Sequence, residues 1–191
     1  YTGSQIYVRK RTMGNHRLRR IGGERRKSMS RYLTDDQQKI REIKENKKQY
    51  LDLLLLADEQ EDMIDRYLGR GIMYVLDDNG IKAECVVTDE EDGILEIKNL
   101  AVTPGSQRRG YGRRMIRFLA DTYSGRYDIM QVGTGDSPLT LPFYESCGFR
   151  RSHVVKGFFT EYYDHPIYEG GRQLVDMVYL RMSLTSETDL E

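Results

Sequence analysis

Apolar side chains recur along this chain in two rhythms, one near every second residue and one near every third or fourth, and the switches between them lay out the elements. Lys39 to Glu45 alternates apolar and charged residues and predicts a short first strand. Asn46 with Gln49, and Asp58 with Glu61, resemble capping boxes, each opening a run with helical spacing. The first predicts a helix over 47–57 with Tyr50, Leu53, Leu54 and Ala57 inward. The second predicts a helix over 59–68 with Met63, Ile64, Tyr67 and Leu68 inward, closed by Gly69 as a left-handed cap.

Three β-rich runs follow, Ile72–Leu76, Ile81–Val87 and Ile94–Val102, separated by Asn79-Gly80 and Asp92-Gly93. Those dipeptides supply the positive φ of tight hairpin turns, so the runs predict an antiparallel meander. After Pro104 a polar loop leads into a helix over 112–123, whose Met115, Ile116, Leu119 and Tyr123 form one stripe. Tyr127–Val132 then predicts a strand parallel to the third meander strand, reached by a right-handed crossover. Pro138 to Cys147 predicts a short helix stopped by Gly148. Phe149–Phe159 and Leu174–Leu184 predict the last two strands, with an aromatic and acidic loop between them. The expected class is α/β: a mixed sheet of six to seven strands with flanking helices.

At 38% apolar and 31% charged residues, the chain lacks an apolar stretch long enough for a membrane span or a secretory segment, so a cytoplasmic location without a membrane partner is expected. Cys85 and Cys147 are the two cysteines and form no C-x-x-C, which argues against a disulfide framework or a zinc site. The 30 basic and 30 acidic residues cancel overall but are unevenly placed. Residues 1–31 hold ten Lys/Arg against Glu24, a charge of +9, and the remainder, with 20 basic and 29 acidic residues, carries −9. The first stretch has few periodic hydrophobes and cannot offset its ordering entropy, so 1–35 is expected to be a disordered arm, 36–185 the folded domain and 186–191 a tail. A basic arm suits nucleic acid. The chain opens on Tyr1 instead of Met, however, and the arm is read as a leader or non-native extension, with no nucleic-acid partner expected.

The chemistry concentrates at Gln107-Arg108-Arg109-Gly110-Tyr111-Gly112, where a strand hands over to a helix. Successive amides there converge on an anion, helped by the positive helix end, and Arg108, Arg109, Arg113 and Arg114 crowd the same turn. A dinucleotide fingerprint fails because Met115 stands where a third glycine belongs, and neither G-K-[ST] nor G-x-S-x-G occurs. His16, His153 and His165 show no metal-ligand spacing, so no metal is expected.

Leu95 to Pro104, the Q-x-x-G-x-G of 107–112, and Phe143-Tyr144-Glu145-Ser146-Cys147-Gly148-Phe149 together resemble the signature regions of the GCN5-related N-acetyltransferases (GNAT), over residues 39–184. The stretch Phe158–Leu180 is similar to a bacterial subgroup of these enzymes. The resemblance implies acetyl-CoA as co-substrate, its pyrophosphate on the amides of Gln107, Arg108, Arg109, Gly110, Tyr111 and Gly112, with Arg113 nearby. It also implies a pantetheine arm lying along Leu100, Ala101 and Val102, where two parallel strands splay, with amides of this segment facing the developing oxyanion. Ser137 and Asp136 stand where relatives often carry Asn, and Ser137 is taken as the pantetheine contact.

Transfer needs a neutral amine, and deprotonating one at pH 7 costs roughly 4–5 kcal/mol without help. Glu96, six residues before Val102, matches the base of the histone-modifying branch, with Asp136, Glu161 and His165 as competitors. Tyr144 matches the family's general acid, which protonates the departing thiolate; Phe143 beside it reads as a core aromatic. The expected function is transfer of acetyl to a primary amine of a small molecule, peptide or protein in a ternary complex. Glu161, Asp164 and Glu169 with Tyr162, Tyr163 and Tyr168 favour a cationic acceptor, and a homodimer is compatible. A non-catalytic acyl-CoA sensor and a nucleic-acid-binding protein working through the arm are the alternatives.

Overall fold

The computed structural model describes residues 40–185; the arm and tail expectations lie outside them. The sheet contains β1 (Ile40–Ile43), β2 (Ile72–Asp77), β3 (Ile81–Asp89), β4 (Ile94–Val102), β5 (Ile129–Gly135), β6 (Arg150–Val155) and β9 (Met177–Ser183). Its order is β1-β2-β3-β4-β5-β9-β6, antiparallel except at β4–β5. The short hairpin β7 (Tyr168–Glu169) and β8 (Arg172–Gln173) stands apart from it. The helices are α1 (Leu51–Leu54), α2 (Glu61–Leu68), α3 (Tyr111–Tyr123), α4 (Leu141–Ser146) and α5 (Phe158–Tyr162).

The meander forms as its turn residues require. Asn79 and Gly80 take φ of 55° and 102°, and Glu91, Asp92 and Gly93 all lie in the left-handed region. The crossover from β4 through α3 to β5 is the parallel connection, and α3 buries Met115, Ile116, Leu119 and Tyr123 against one face of the sheet. Each such side chain stabilises the fold by about 1.5–3 kcal/mol. The α1–α2 segment covers the opposite face over β1–β3, while α5 and the segment after it pack Phe158, Phe159 and Tyr163 with Met177 and Tyr179 of β9.

One irregularity in β4 decides what each face receives. Asn99 pairs with Val86 and Ile97 with Val87, so Lys98 is an extra residue against β3. This bulge resets the alternation: Leu95, Ile97, Leu100 and Val102 all join the α3 core, while Glu96, Lys98, Asn99 and Ala101 fall to the other side. Strict alternation would have put Asn99 among the apolar residues.

Several expectations are corrected. The helix over 47–57 is a 3₁₀ turn at Lys47–Tyr50 followed by the single turn of α1, because the Leu54 carbonyl is claimed by the amides of Ala57 and Asp58 and by Asn99 Nδ2. Neither capping box forms: Asn46 is left-handed without a side-chain cap bond, and α2 starts after Gln60 while Asp58 turns inward. Gly69 is right-handed, φ −65°, and caps nothing in the left-handed sense. The strand expected over Phe149–Phe159 ends at Val155; Gly157, φ 68°, starts α5 and lets Phe158 and Phe159 both bury. The last strand begins at Met177, since Leu174 is drawn aside by its amide bond to the Ile167 carbonyl.

The close approach of α2 to β3 depends on Gly71. A Cβ there would stand 2.6 Å from Val86 Cγ1 and 3.0 Å from the Tyr67 carbonyl oxygen, whereas at Gly69 nothing lies within 4 Å. Gly71→Ala is therefore expected to cost about 1–3 kcal/mol in urea unfolding. Gly69→Ala should gain about 0.4–1 kcal/mol.

Candidate active site

β4 and β5 share partners from Ile94/Ile129 to Ile97/Val132 and then part. Beyond that fork β4 stays on β3 and β5 stays on β9, leaving a wedge between them. The Thr103 amide donates to the Lys82 carbonyl, so by alternation the backbone groups of Leu100 and Val102 aim away from β3, toward the wedge. Buried backbone groups need partners. The Val102 carbonyl has one in Gln107 Nε2 at 3.2 Å.

A cavity of about 440 Å³ opens at the mouth of the wedge. Val102, Gln107, Arg108, Gly110, Tyr111, Gly112 and Arg113 form one side, and Pro138, Leu139 and Phe143 the other. Arg108 and Gly110 are left-handed, φ 62° and 89°, which folds the loop back so that α3 starts at Tyr111. The first intrahelical bond is made by the Arg114 amide to the Gly110 carbonyl, so the amides of Tyr111, Gly112 and Arg113 precede the ladder at the positive helix end. Gly112 keeps the cavity open, since a Cβ there would sit 3.1 Å from Phe143 Cζ and 3.6 Å from Val102 Cγ2. Arg109 is outside the lining, its guanidinium 5.7 Å from the Tyr111 ring centre, and Tyr111 is anchored by its hydroxyl on Asp78 at 2.8 Å. Arg113 is braced on the Ser146 carbonyl and hydroxyl. The site therefore offers amides and guanidinium groups to a diphosphate and open strand edges to an amide-bearing arm, the donor set that CoA requires.

The other sequence-predicted residues fall in distinct places. Leu100 and Ala101 are buried in β4 beside the wedge. Tyr144 is fully buried and lies edge-on to Phe143 and Phe149; Phe143, read from sequence as core, lines the cavity. Ser137 accepts the Leu139 amide at 3.1 Å and also bonds Glu169. Glu169 further accepts from Thr140 at 3.3 Å, and Arg172 pairs with Asp136 at 3.1 Å, so the β7–β8 hairpin grips the loop that presents Pro138 and Leu139. Glu96 lies at the paired end of the fork. Its oxygens accept from Lys98 Nζ and from Gln131 Nε2, each at 2.8 Å, and burial raises its pKa against the pull of Lys98. Among the competitors, His165 is exposed beside Asp164 and Asp136 is held by Arg172.

Sequence reasoning missed a second group, on the face opposite α3. Asn99 Nδ2 donates to the Tyr67 hydroxyl oxygen at 2.8 Å, and Tyr67 also bonds Asp58, which accepts the Tyr163 hydroxyl at 3.1 Å. Glu84 accepts the Ala101 amide at 3.0 Å. Burial pushes the Asp58 carboxyl up to about 7, against its bond from Tyr163, and the Glu84 carboxyl up to about 8, against the Ala101 amide. The available signal was a polar residue within an apolar strand run, Glu84 in β3 and Asn99 in β4.

These shifts set a pH dependence. The folded state holds protons on Asp58 and Glu84 that the unfolded chain releases near 3.8 and 4.5, so their contribution is full below those values and lost as pH rises through about 7 and 8. Urea unfolding should give higher stability at acid-side pH 5 than at pH 8.5, roughly the interval these shifts span, and Glu84→Gln should flatten the upper part of the decline.

A family description, acetyltransferase (GNAT) domain, matches residues 69–151. The "Uncharacterized N-acetyltransferase YvbK" of Bacillus subtilis is 35% identical over 136 residues, covering 70% of this chain and 88% of that protein. A GNAT family acetyltransferase from Elizabethkingia anophelis with acetyl-CoA bound superimposes with a TM-score of 0.72 at 33% identity, covering 75% of this chain and 96% of that one. A Bacillus subtilis acetyltransferase in complex with CoA gives 0.70 at 32% identity, covering 76% and 97%. Among the described residues no helix is long and apolar enough to cross a membrane, and no three His, Cys, Asp or Glu side chains gather as metal ligands. A fork between parallel strands, with a glycine-bearing helix start and its free first-turn amides at its mouth, thus coincides with sequence and structural similarity along most of the described chain: the protein belongs to the GNAT acetyltransferase family.

Proposed function

We propose that this acetyltransferase moves the acetyl group of acetyl-CoA directly onto a primary amine of a small molecule or peptide, with both substrates bound together. The observation that carries this reading is the wedge past Ile97 and Val132, continuous with the cavity at the start of α3. The amides of Arg108 to Arg113 and the nearby guanidinium groups hold the diphosphate; the edges of Leu100 and Val102 take the pantetheine amides as a strand would. Pro138, Leu139 and Phe143 close the apolar side, with Ser137 fixing their loop.

Acetyl-CoA supplies an activated thioester carbonyl, and this chain's residues orient it and manage protons. Tyr144 is assigned the hydrogen bond to the departing sulfur. A phenol held rigidly between Phe143 and Phe149 delivers its hydrogen from a fixed direction and excludes water. Glu96 is assigned to bracing the fork, because Lys98 and Gln131 already occupy its oxygens. Direct transfer needs no acyl-protein intermediate, and Cys147 fits a packing role: it borders α3 and its thiol pKa is raised by burial.

With an amine panel, Tyr144→Phe should lower kcat about 10²-fold while leaving acetyl-CoA binding unchanged in calorimetry. Equal kcat at several pH values would remove Tyr144 from this role. Gly112→Val fills the space between Phe143 and Val102, and should weaken acetyl-CoA binding by about tenfold or more with little loss of melting temperature. Undiminished affinity would place the coenzyme elsewhere.

A further inference from the structure

We propose that Asp58 and Asn99, which bond the Tyr67 hydroxyl, form with Glu84 the seat of the acceptor's ammonium group, and that Glu84 is the carboxylate that removes its proton. This rests on the acetyltransferase reading above. Three oxygens in this cluster are buried without a hydrogen-bond partner: Asp58 Oδ2, Glu84 Oε2 and Asn99 Oδ1. Once Asp58 and Glu84 are ionised all three are acceptors, on side chains whose other polar atom is already fixed in the cluster. A buried acceptor left unpaired is destabilising, so three together call for a group that brings only donors. A primary ammonium brings three N–H bonds and the opposite charge.

The charge count agrees. Glu96, on the same face, has Lys98; no Lys, Arg or His among the described residues hydrogen-bonds or ion-pairs with Asp58 or Glu84. The groups coupled to the cluster are Glu59 of the α1–α2 connection, Asp62, Arg66 and Tyr67 of α2, Cys85 of β3, and Tyr163 after α5; Arg66 acts on Tyr163. β4 adds the uncharged Asn99 and the Ala101 amide, both past the fork. The cluster lies on the face opposite α3, against the stretch of β4 that runs past the fork, and in this proposal the amine reaches the thioester from that face. Its roof, 55–60, is fastened through Asn99 on the Leu54 carbonyl and Tyr163 on Asp58. An entering amine competes for these same side chains, so binding and opening of the roof are linked.

The proton balance closes. The ammonium gives one proton to ionised Glu84, and the freed lone pair forms the C–N bond to the thioester carbonyl carbon. The C–S bond breaks with its electron pair on sulfur, which takes the Tyr144 hydroxyl proton, and a second N–H proton restores the phenol. A carboxyl near 8 is increasingly ionised, and so able to take this proton, as pH rises toward and through that value.

The test uses the full chain, Glu84→Gln and Asp58→Asn, with straight-chain primary alkylamines and their N-trimethyl analogues, which keep the charge and lose the donors. Glu84→Gln should lower kcat/KM for amines about 10²-fold and abolish the rise of rate through about pH 8, with CoA affinity by calorimetry unchanged. Asp58→Asn should raise the amine KM about tenfold with a smaller change in kcat. Without acetyl-CoA, primary amines should raise the melting temperature of the wild type and not of Glu84→Gln, and trimethylated analogues should raise neither. A wild-type rate and pH profile in Glu84→Gln, or equal stabilisation by both amine types, overturns the proposal. If the wild type neither binds nor consumes acetyl-CoA, the reading of function fails and the melting comparison alone judges the seat. If Glu84→Gln does not fold, primary against trimethylated amines on the wild type decides.

Discussion

Two parallel strands that pair over only four residues must leave backbone groups unmatched where they separate, and this protein places that separation in the middle of its sheet. The fork is held open from both sides: β3 retains β4 through a bulge at Lys98, and β9 retains β5 through Gly135. Neither strand can swing across to heal the gap without breaking a longer ladder. The unmatched edge is therefore a permanent property of the fold, and a ligand built of amides is the natural way to complete it. The anion-binding start of α3 lies at the mouth because the crossover helix must begin where β4 ends.

The same bulge separates two kinds of buried carboxyl on one face. Glu96 sits before it, where β5 is still alongside to offer Gln131 and where Lys98 turns back to supply charge; Arg181 extends the chain by donating to Gln131 at 2.7 Å. A carboxylate so surrounded is held by two donors at the paired end of the fork. Glu84 lies past the bulge, opposite Ala101, where β5 has departed and, among the described residues, no lysine is bonded to it. Burial without a counter-ion leaves it poised between protonation states. Position relative to one extra residue thus separates a carboxyl paired with a lysine from one held by burial and a backbone amide.

Much of this was legible in the sequence because the relevant signals are local. Asn79-Gly80 and Asp92-Gly93 fix the meander, the stripe Met115, Ile116, Leu119 and Tyr123 fixes α3, and the glycines at 110 and 112 mark the loop. What failed depends on distant partners. Asp58 and Glu61 have capping-box spacing, yet Tyr163, more than a hundred residues on, draws Asp58 inward. Phe158 and Phe159 suit a strand, yet a third apolar cluster with Met63 and Tyr179 rewards burying both together. The bulge left no turn residue to announce it, so Asn99 and Ala101 could not be assigned a face, and with them the polar cluster went unseen.

The grip of the β7–β8 hairpin on the loop after β5 has an evolutionary corollary. Glu169 and Arg172 hold the segment whose Pro138 and Leu139 wall the cavity at the start of α3, and a Cβ on Gly170 would lie 3.3 Å from Leu139 Cδ1. Residues of the hairpin and of the loop are therefore not free to drift independently. A lineage that remodels this hairpin must retune 136–140 in step, so the hairpin and this wall of the cavity are inherited as one trait.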